Sequence, residues 1–258
     1  VATVSPPERV GPDLYLLEAN STAGYMDEAT VDAVERIRGI EFSGGTEAEV
    51  TGNSARYLDF EDSLAHHLPV VAAIVVLTTL IILFLMTGSA ILPVKSLLMN
   101  ILTLASVFGV LVFVFQDGNL SGVLDFESTD GLDITTPILI FAITFGLSTD
   151  YAIFLLSRIK EAHEAGLPND EAVAVGLQRT GRIVTAAALL IAIAIGAFAT
   201  SEIVFIKELG VGVALAVLID ATIIRALIVP ALMEMLGKWN WWAPAWMKRL
   251  HQRIGLSE

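Results

Sequence analysis

The chain has 258 residues, 55% of them hydrophobic, with a mean hydropathy of +0.71 and a formal net charge of −13. So apolar a composition excludes a soluble domain with a polar surface, and the acidic balance excludes a nucleic-acid-binding face. With no cysteine there are no disulfides, no thiolate chemistry and no Cys-built zinc site; His66-His67, His163 and His251 are too scattered for a metal cluster.

Residues 1–66 read as a soluble, mostly acidic segment. Asp13 to Glu18 has the pattern of a short strand. Asp27 to Ile40 has that of a helix, with Val31, Val34, Ile37 and Ile40 at helical spacing. Glu47 to Thr51 alternates weakly after a Gly44-Gly45 turn, and 55–68 is helical and leads into the membrane. The expected unit is βαβ-like, half of a split βαβ domain. It holds few large apolar side chains and would be marginal alone. No signal peptide precedes Val1, and the chain is expected to be a piece of a longer protein.

Five apolar runs follow, at about 68–86, 96–115, 137–157, 183–200 and 209–233. At 1.5 Å per residue each is long enough, or nearly so, to cross a hydrocarbon core of roughly 30 Å. The fourth carries Ala186, Ala187, Ala188, Ala192, Ala194, Gly196 and Ala197, which suits close helix packing. The expected architecture is therefore an α-helical membrane bundle over 67–236, behind a small α+β domain. Alternating sides puts Lys95, Arg158, Lys160, Arg179, Arg182, Lys238, Lys248, Arg249 and Arg253 on one face. Only Arg9, Arg36, Arg38, Arg56 and Lys207 lie on the other. The first face is the cytoplasmic one by the positive-inside rule, so residues 1–66 lie outside and the C-terminus inside.

The outer loop at 116–136 carries Asp117, Asp125, Glu127, Asp130 and Asp133 but lacks the twelve-residue calcium pattern with its closing Glu; a flexible loop is expected. On the inner face, Asn169-Asp170-Glu171 before an apolar-periodic stretch predicts a short helix capped near Asn169. The tail, 237–258, gathers Trp239, Trp241, Trp242 and Trp246 beside Lys248 and Arg249. Trp favours the headgroup level and cations attract anionic lipid, so the tail is expected to anchor in the inner interface.

Charged groups inside the runs carry the chemistry. Asp150 lies within the third run, followed by Tyr151; Asp220 and Arg225 lie within the fifth. A charged carboxylate at that depth costs about 2.5–3.5 kcal/mol on insertion scales, which marks it as a functional candidate. Asp150 and Asp220 are expected at similar depth on parallel helices. Arg225, five residues after Asp220, is a poor partner for it on an α-helix, where i,i+3 and i,i+4 face each other. The residues alone leave two readings for Asp150: a proton relay or a structural hydrogen bond between helices.

Gly146-Leu147-Ser148-Thr149-Asp150-Tyr151, followed by Phe154-Leu155-Leu156-Ser157-Arg158, resembles the Asp-Tyr motif of the MMPL family, a branch of the RND transporter superfamily. Asp220-Ala221-Thr222-Ile223-Ile224-Arg225 and Val229-Pro230-Ala231 resemble that family's last transmembrane helix. Trp241-Trp242-Ala243-Pro244 and Trp246-Met247-Lys248-Arg249 are similar to the tail of mycobacterial members that export trehalose monomycolate. Ala152 departs from the pattern, which has Glu there.

The resemblance implies a twelve-helix protein in two halves, of which this chain matches the end of the second porter insert and the last five helices. It implies a secondary transporter rather than an enzyme, with lipid or glycolipid as substrate. The coupling ion would be the proton, with no cofactor and no metal, and the setting would be the bacterial inner membrane. Asp150 and Tyr151 match one half of the family's proton relay. Ser148, Asp220 and Arg225 are candidates for a supporting polar network, with a structural role the other reading for Asp220 and Arg225. The other half, and the protein partner, would be the N-terminal half of the same transporter. Two other classes share features of this sequence. A non-transporting RND-like sensor or assembly protein would share the helices. An intramembrane aspartyl protease would pair Asp150 with Asp220, but such enzymes resemble Tyr-Asp and Gly-x-Gly-Asp, not the order found here.

Overall fold

The computed structural model describes residues 3–42, 47–126, 132 and 135–254. The Gly44-Gly45 turn and the outer-loop residues Glu127, Asp130 and Asp133 lie outside the described residues. The chain divides into two compact units, Val1–Val71 and Ala72–Glu258.

In the first unit, β1 (Thr3–Val4) pairs with β4 (Ala19–Asn20) and β2 (Glu8–Arg9) with β3 (Tyr15–Leu16), both antiparallel. The strand expected at 13–18 is thus the two-residue β3, and it pairs backwards within a nested hairpin. Residues 47–51 are not a strand, so the expected βαβ order is not formed. The weak alternation there offers no apolar face worth burying, and the pairing goes to nearer residues instead. The helix α1 (Glu28–Arg38) forms as its spacing predicts, capped by the Asp27 carboxylate, which accepts from the Ala29 N–H at 2.9 Å. Arg38 donates to both carboxylate oxygens of Asp59, at 2.5 and 2.9 Å. That joins α1 to the start of α2 (Asn53–Thr87). Val34 and Ala55 are the buried apolar residues among those described in this unit. A core that thin matches the sequence's shortage of large apolar side chains.

The second unit is a helical bundle. α3 (Ile91–Leu111) ends in a π-helical turn, Val112–Gln116, and a short α4 (Ser121–Leu124) follows. Then come α5 (Thr135–Glu164), α6 (Asn169–Gly196) with a 3₁₀ turn at Ala197–Thr200, and α7 (Val204–Ile219). α7 runs on without a break through a π-helical segment, Asp220–Ile228, into α8 (Val229–Leu236). A 3₁₀ turn, Gly237–Trp241, leads to α9 (Ala245–Ile254). Five helices are long and apolar enough to cross a membrane: Asn53–Thr87, Ile91–Gln116, Thr135–Glu164, Asn169–Thr200 and Val204–Trp241. The protein is thus an α-helical membrane protein with a small β-containing fragment before it.

The inner helix that starts at Asn169 is not separate from the fourth run; α6 is continuous through both. No turn signal stands between them. Nor does Asn169 cap the helix. Pro168 holds the N-cap position, and the Asn169 side chain is used elsewhere.

Close approach between helices rests on small residues. A Cβ on Gly176 would lie 2.3 Å from Ile159 Cγ1, and one on Gly210 would lie 2.7 Å from the backbone nitrogen of Ala199. Of the alanines in the fourth run, Ala188 and Ala192 are buried with Val184, an i,i+4 stripe facing inward. The apolar core forms two clusters. One, toward the loop end, holds Val107, Phe115, Ile140, Val213 and Ala216. The other, toward the tail end, holds Leu83, Leu92, Leu155, Ile159 and Met233. Between them α3, α5 and the π-helical segment bury the polar residues Asn100, Ser148, Asp220 and Arg225.

The tail docks on protein at its start. The Ser89 hydroxyl donates to the Asn240 carbonyl at 2.5 Å, and the Ala90 N–H to the Trp242 carbonyl at 3.0 Å. Asn240, fully buried, donates to Met233 O at 2.6 Å and Gly237 O at 2.8 Å. The Trp241 indole N–H donates to Asn169 Oδ1 at 3.2 Å, and its ring stacks on His163 at 4.2 Å between centres. Gly88 has a φ of +69°, and a Cβ there would meet the His251 ring at 2.8 Å; glycine is needed on both counts. Trp241 is therefore occupied by protein, contrary to its expected role at the lipid interface. Trp239, Trp242 and Trp246 are exposed. Trp241→Ala is expected to release the tail, measured as faster tryptic cleavage at Lys248 and Arg249 in the membrane-embedded protein. Trp246→Ala, which leaves the Trp241 contacts intact, should raise the cleavage rate less.

Candidate functional site

The polar layer is built from three helices. Asn100 lies on α3, Ser148 and Thr149 on α5, Asp220 and Arg225 on the π-helical segment. Arg225 Nε donates to Asp220 Oδ2 at 2.6 Å, and both side chains are buried. This corrects the expectation that residues five apart make a poor pair. In an α-helix they would be 140° apart; a π-helical turn closes i→i+5 and places them one above the other. Pro230 lies just after the segment and lacks the N–H that an α-helical ladder would use there. The widened turn also carries the guanidinium inward, so it does not extend toward an interface.

The same guanidinium reaches across to α5. Arg225 Nη2 donates to the Ser148 carbonyl and, at 3.1 Å, to Ser148 Oγ. Ser148 Oγ lies 2.7 Å from Asn100 Oδ1 and 2.8 Å from Asp220 Oδ1. One hydroxyl has one proton, so Ser148 donates to one of these at a time. Asn100 Nδ2 donates onward to Thr149 Oγ1 at 3.2 Å. The Arg225 guanidinium also lies 5.5 Å from the centre of the Tyr151 ring, a cation–π distance. Ion pair, hydroxyl, amide and phenol ring thus form one connected layer across the bundle.

Two small cavities flank it. One is lined by Thr144, Leu147, Tyr151, Ala216 and Asp220, the other by Lys95, Ser96, Asn100, Leu155 and Arg225. The ion pair stands between them.

Asp150 is not part of this layer. It is exposed and has no hydrogen bond or ion pair among the described residues. The helix explains why. Ser148 and Asp150 are two residues apart, which is 200° around α5, so they occupy opposite faces; Tyr151, three residues from Ser148, returns to the inner face. Asp150 shares its outward face with Ile143 and Gly146, both exposed. Its depth still matches that of Asp220, because Ser148, about 3 Å away along the axis, bonds that carboxylate. A protease dyad of Asp150 with Asp220 is excluded by this geometry, since the two carboxylates diverge.

Two members of the layer, Asn100 and Thr149, and Lys95 beside it are not among the site residues expected from the sequence. The signal for Asn100 was a lone amide inside an apolar run. Lys95 was counted only as an inner-face charge. It is buried, and its Nζ has no hydrogen-bond partner among the described residues. At the loop end, buried Glu208 accepts from Thr136 Oγ1 at 2.8 Å, and buried Lys207 donates to the carbonyls of Leu124 and Asp125. No group of His, Cys, Asp and Glu suited to a metal occurs among the described residues.

Five apolar helices and a buried ion-pair layer shared by three of them define a polytopic membrane protein. A model of the MMPL family matches residues 17–255, and the chain belongs to that family. It is 44% identical to a membrane protein of Streptomyces coelicolor, over 89% of this chain and 32% of that protein. It is 43% identical to the trehalose monomycolate exporter MmpL3 of Mycolicibacterium smegmatis, over 87% of this chain and 22% of the relative. It is 38% identical to the mycolic acid-containing lipids exporter MmpL11 of the same organism, over 95% of this chain and 26% of the relative. The chain thus spans a third or less of each of these relatives.

Proposed function

We propose that this chain is the C-terminal part of a proton-driven exporter of lipids or glycolipids, acting as a secondary transporter in the bacterial inner membrane. In this reading Asp150 and Tyr151 carry the coupling proton, and the N-terminal half of the same protein supplies the groups that complete the relay. One observation carries it. Asp150 stands on an unpartnered face of α5 at the depth of a buried, fully bonded Asp220–Arg225 pair. A mid-membrane carboxylate with no partner among the described residues calls for one from another part of the protein. Asp220 and Arg225 then act as fixed negative and positive poles, and the Arg225 guanidinium holds the Tyr151 ring in place within the relay. Named lipid exporters among the relatives support a lipid substrate, with trehalose monomycolate-like glycolipids as the first class to test. Residues 1–66 lie outside the membrane and the C-terminus inside, where Trp239, Trp242, Trp246, Lys248 and Arg249 contact the lipid headgroups. The test is transport of a labelled trehalose glycolipid by the full-length protein in proteoliposomes. Export is expected to stop when a protonophore collapses the pH gradient. Export that continues unchanged would overturn the coupling.

A further inference from the structure

Lys95 lies one turn into α3 and is only 5% exposed. Its Nζ is buried without a hydrogen-bond partner among the described residues and borders the larger of the two mid-bundle cavities. The charged residues lining that cavity are Lys95, Arg225 and Asp220. Asp220 is already matched with Arg225 at 2.6 Å. When protonated, Lys95 therefore adds a positive charge with no counter-charge among the described residues, in a space whose other walls include Met99, Leu155, Leu156 and Ile224.

We propose that this cavity is a binding site for one small monovalent anion, such as a halide, held by Lys95 Nζ and the Arg225 guanidinium. The cavity is small, with room for about one water-sized occupant, and it is open on one side, which favours a compact anion over a bulky headgroup. Charge decides between the small occupants. Water would accept a hydrogen bond from the ammonium but leave its charge uncompensated in an apolar surround; an anion compensates both. The Ser96 hydroxyl and the Asn100 amide border the same space and can add polar contacts. The two cations that line the cavity come from different helices, α3 and the π-helical segment. A bound anion would therefore tie Lys95 to the polar layer without disturbing the Asp220–Arg225 bond. This assignment does not depend on whether the full-length protein transports lipid.

The test uses the full-length protein in bromide, chloride and gluconate at equal ionic strength. Crystals in bromide should give an anomalous peak beside Lys95 Nζ. The melting midpoint should rise by about 2–4 °C in chloride over gluconate, since a ligand bound by the folded state alone stabilises it. Lys95→Met should abolish both the peak and the chloride effect while melting in gluconate no lower than the parent protein, because it removes an unmatched charge. Lys95→Arg keeps the charge and should retain the chloride effect in part. Equal melting in chloride and gluconate, a water in place of bromide, or a carboxylate from the rest of the protein seated in the cavity would each overturn the proposal.

Discussion

Arg225→Met is expected to lower the stability of the full-length protein by about 3–5 kcal/mol, the cost of leaving one member of a buried pair without its counter-charge. Arg225 makes a bond of 2.6 Å to Asp220 and bonds to both the hydroxyl and the carbonyl of Ser148. Removing it strands the Asp220 carboxylate with the hydroxyl of Ser148 as its only remaining hydrogen-bond donor among those described. It also frees the Ser148 carbonyl of its side-chain partner. Asp220→Asn should cost less, because the amide oxygen still accepts from Arg225 Nε, though without the charge. The double replacement Asp220→Leu, Arg225→Met should recover most of the lost stability, since apolar residues of similar volume often replace a buried pair at no net cost. Export should not recover with it. Denaturant melts of the purified variants, read beside export in the same preparations, separate the structural from the functional part. A double variant that both melts and exports like the parent would remove the pair from the mechanism.

The sequence made the five spans and the depth of the charges legible, because length and apolarity are read directly from the residues. It did not make the facing of those charges legible. Asp150 and Asp220 share a depth, yet they diverge, because Ser148 and not Asp150 points at the Asp220 helix. Knowing that requires the rotation of α5, which packing sets: Ile140, Leu155 and Ile159 are buried together with Ser148 on one face. The pairing of Asp220 with Arg225 was hidden for a different reason. The rule for facing positions presumes an α-helix, and a π-helical segment changes the period from which the rule is derived. The tail misled in a third way. Trp241 carries the same chemistry as its neighbours, but the stacking partner His163 and the acceptor Asn169 lie about 70 residues earlier in the chain. No local pattern distinguishes a Trp that meets lipid from one that meets such a pair. The thin first unit was the reverse case. Its few large apolar residues foretold a small core, while the strand order depended on pairings too short to leave a clear alternation.

Asp150→Asn is expected to reduce lipid export by the full-length protein at least about 10²-fold, the scale on which loss of a positioned proton-transfer group acts. Its melting should stay within about 0.5 kcal/mol of the parent, because Asp150 makes no hydrogen bond or ion pair among the described residues. That combination sets it apart from Arg225→Met, which should lose stability and function together. Asparagine keeps the size and polarity of the side chain and removes only the capacity to take up and release a proton. Asp150→Glu keeps that capacity on a longer arm and should restore part of the export. Tyr151 adds a second contrast. Its ring packs against the apolar cluster and lies over Arg225, so Tyr151→Phe keeps both contacts and loses only the hydroxyl. If the phenol serves the relay, Tyr151→Phe lowers export with little change in melting. If the ring alone matters, Tyr151→Phe behaves as the parent and only Tyr151→Ala fails. An Asp150→Asn protein that folds normally and still exports at more than a tenth of the parental rate would leave the exposed face of α5 without a proton-carrying role.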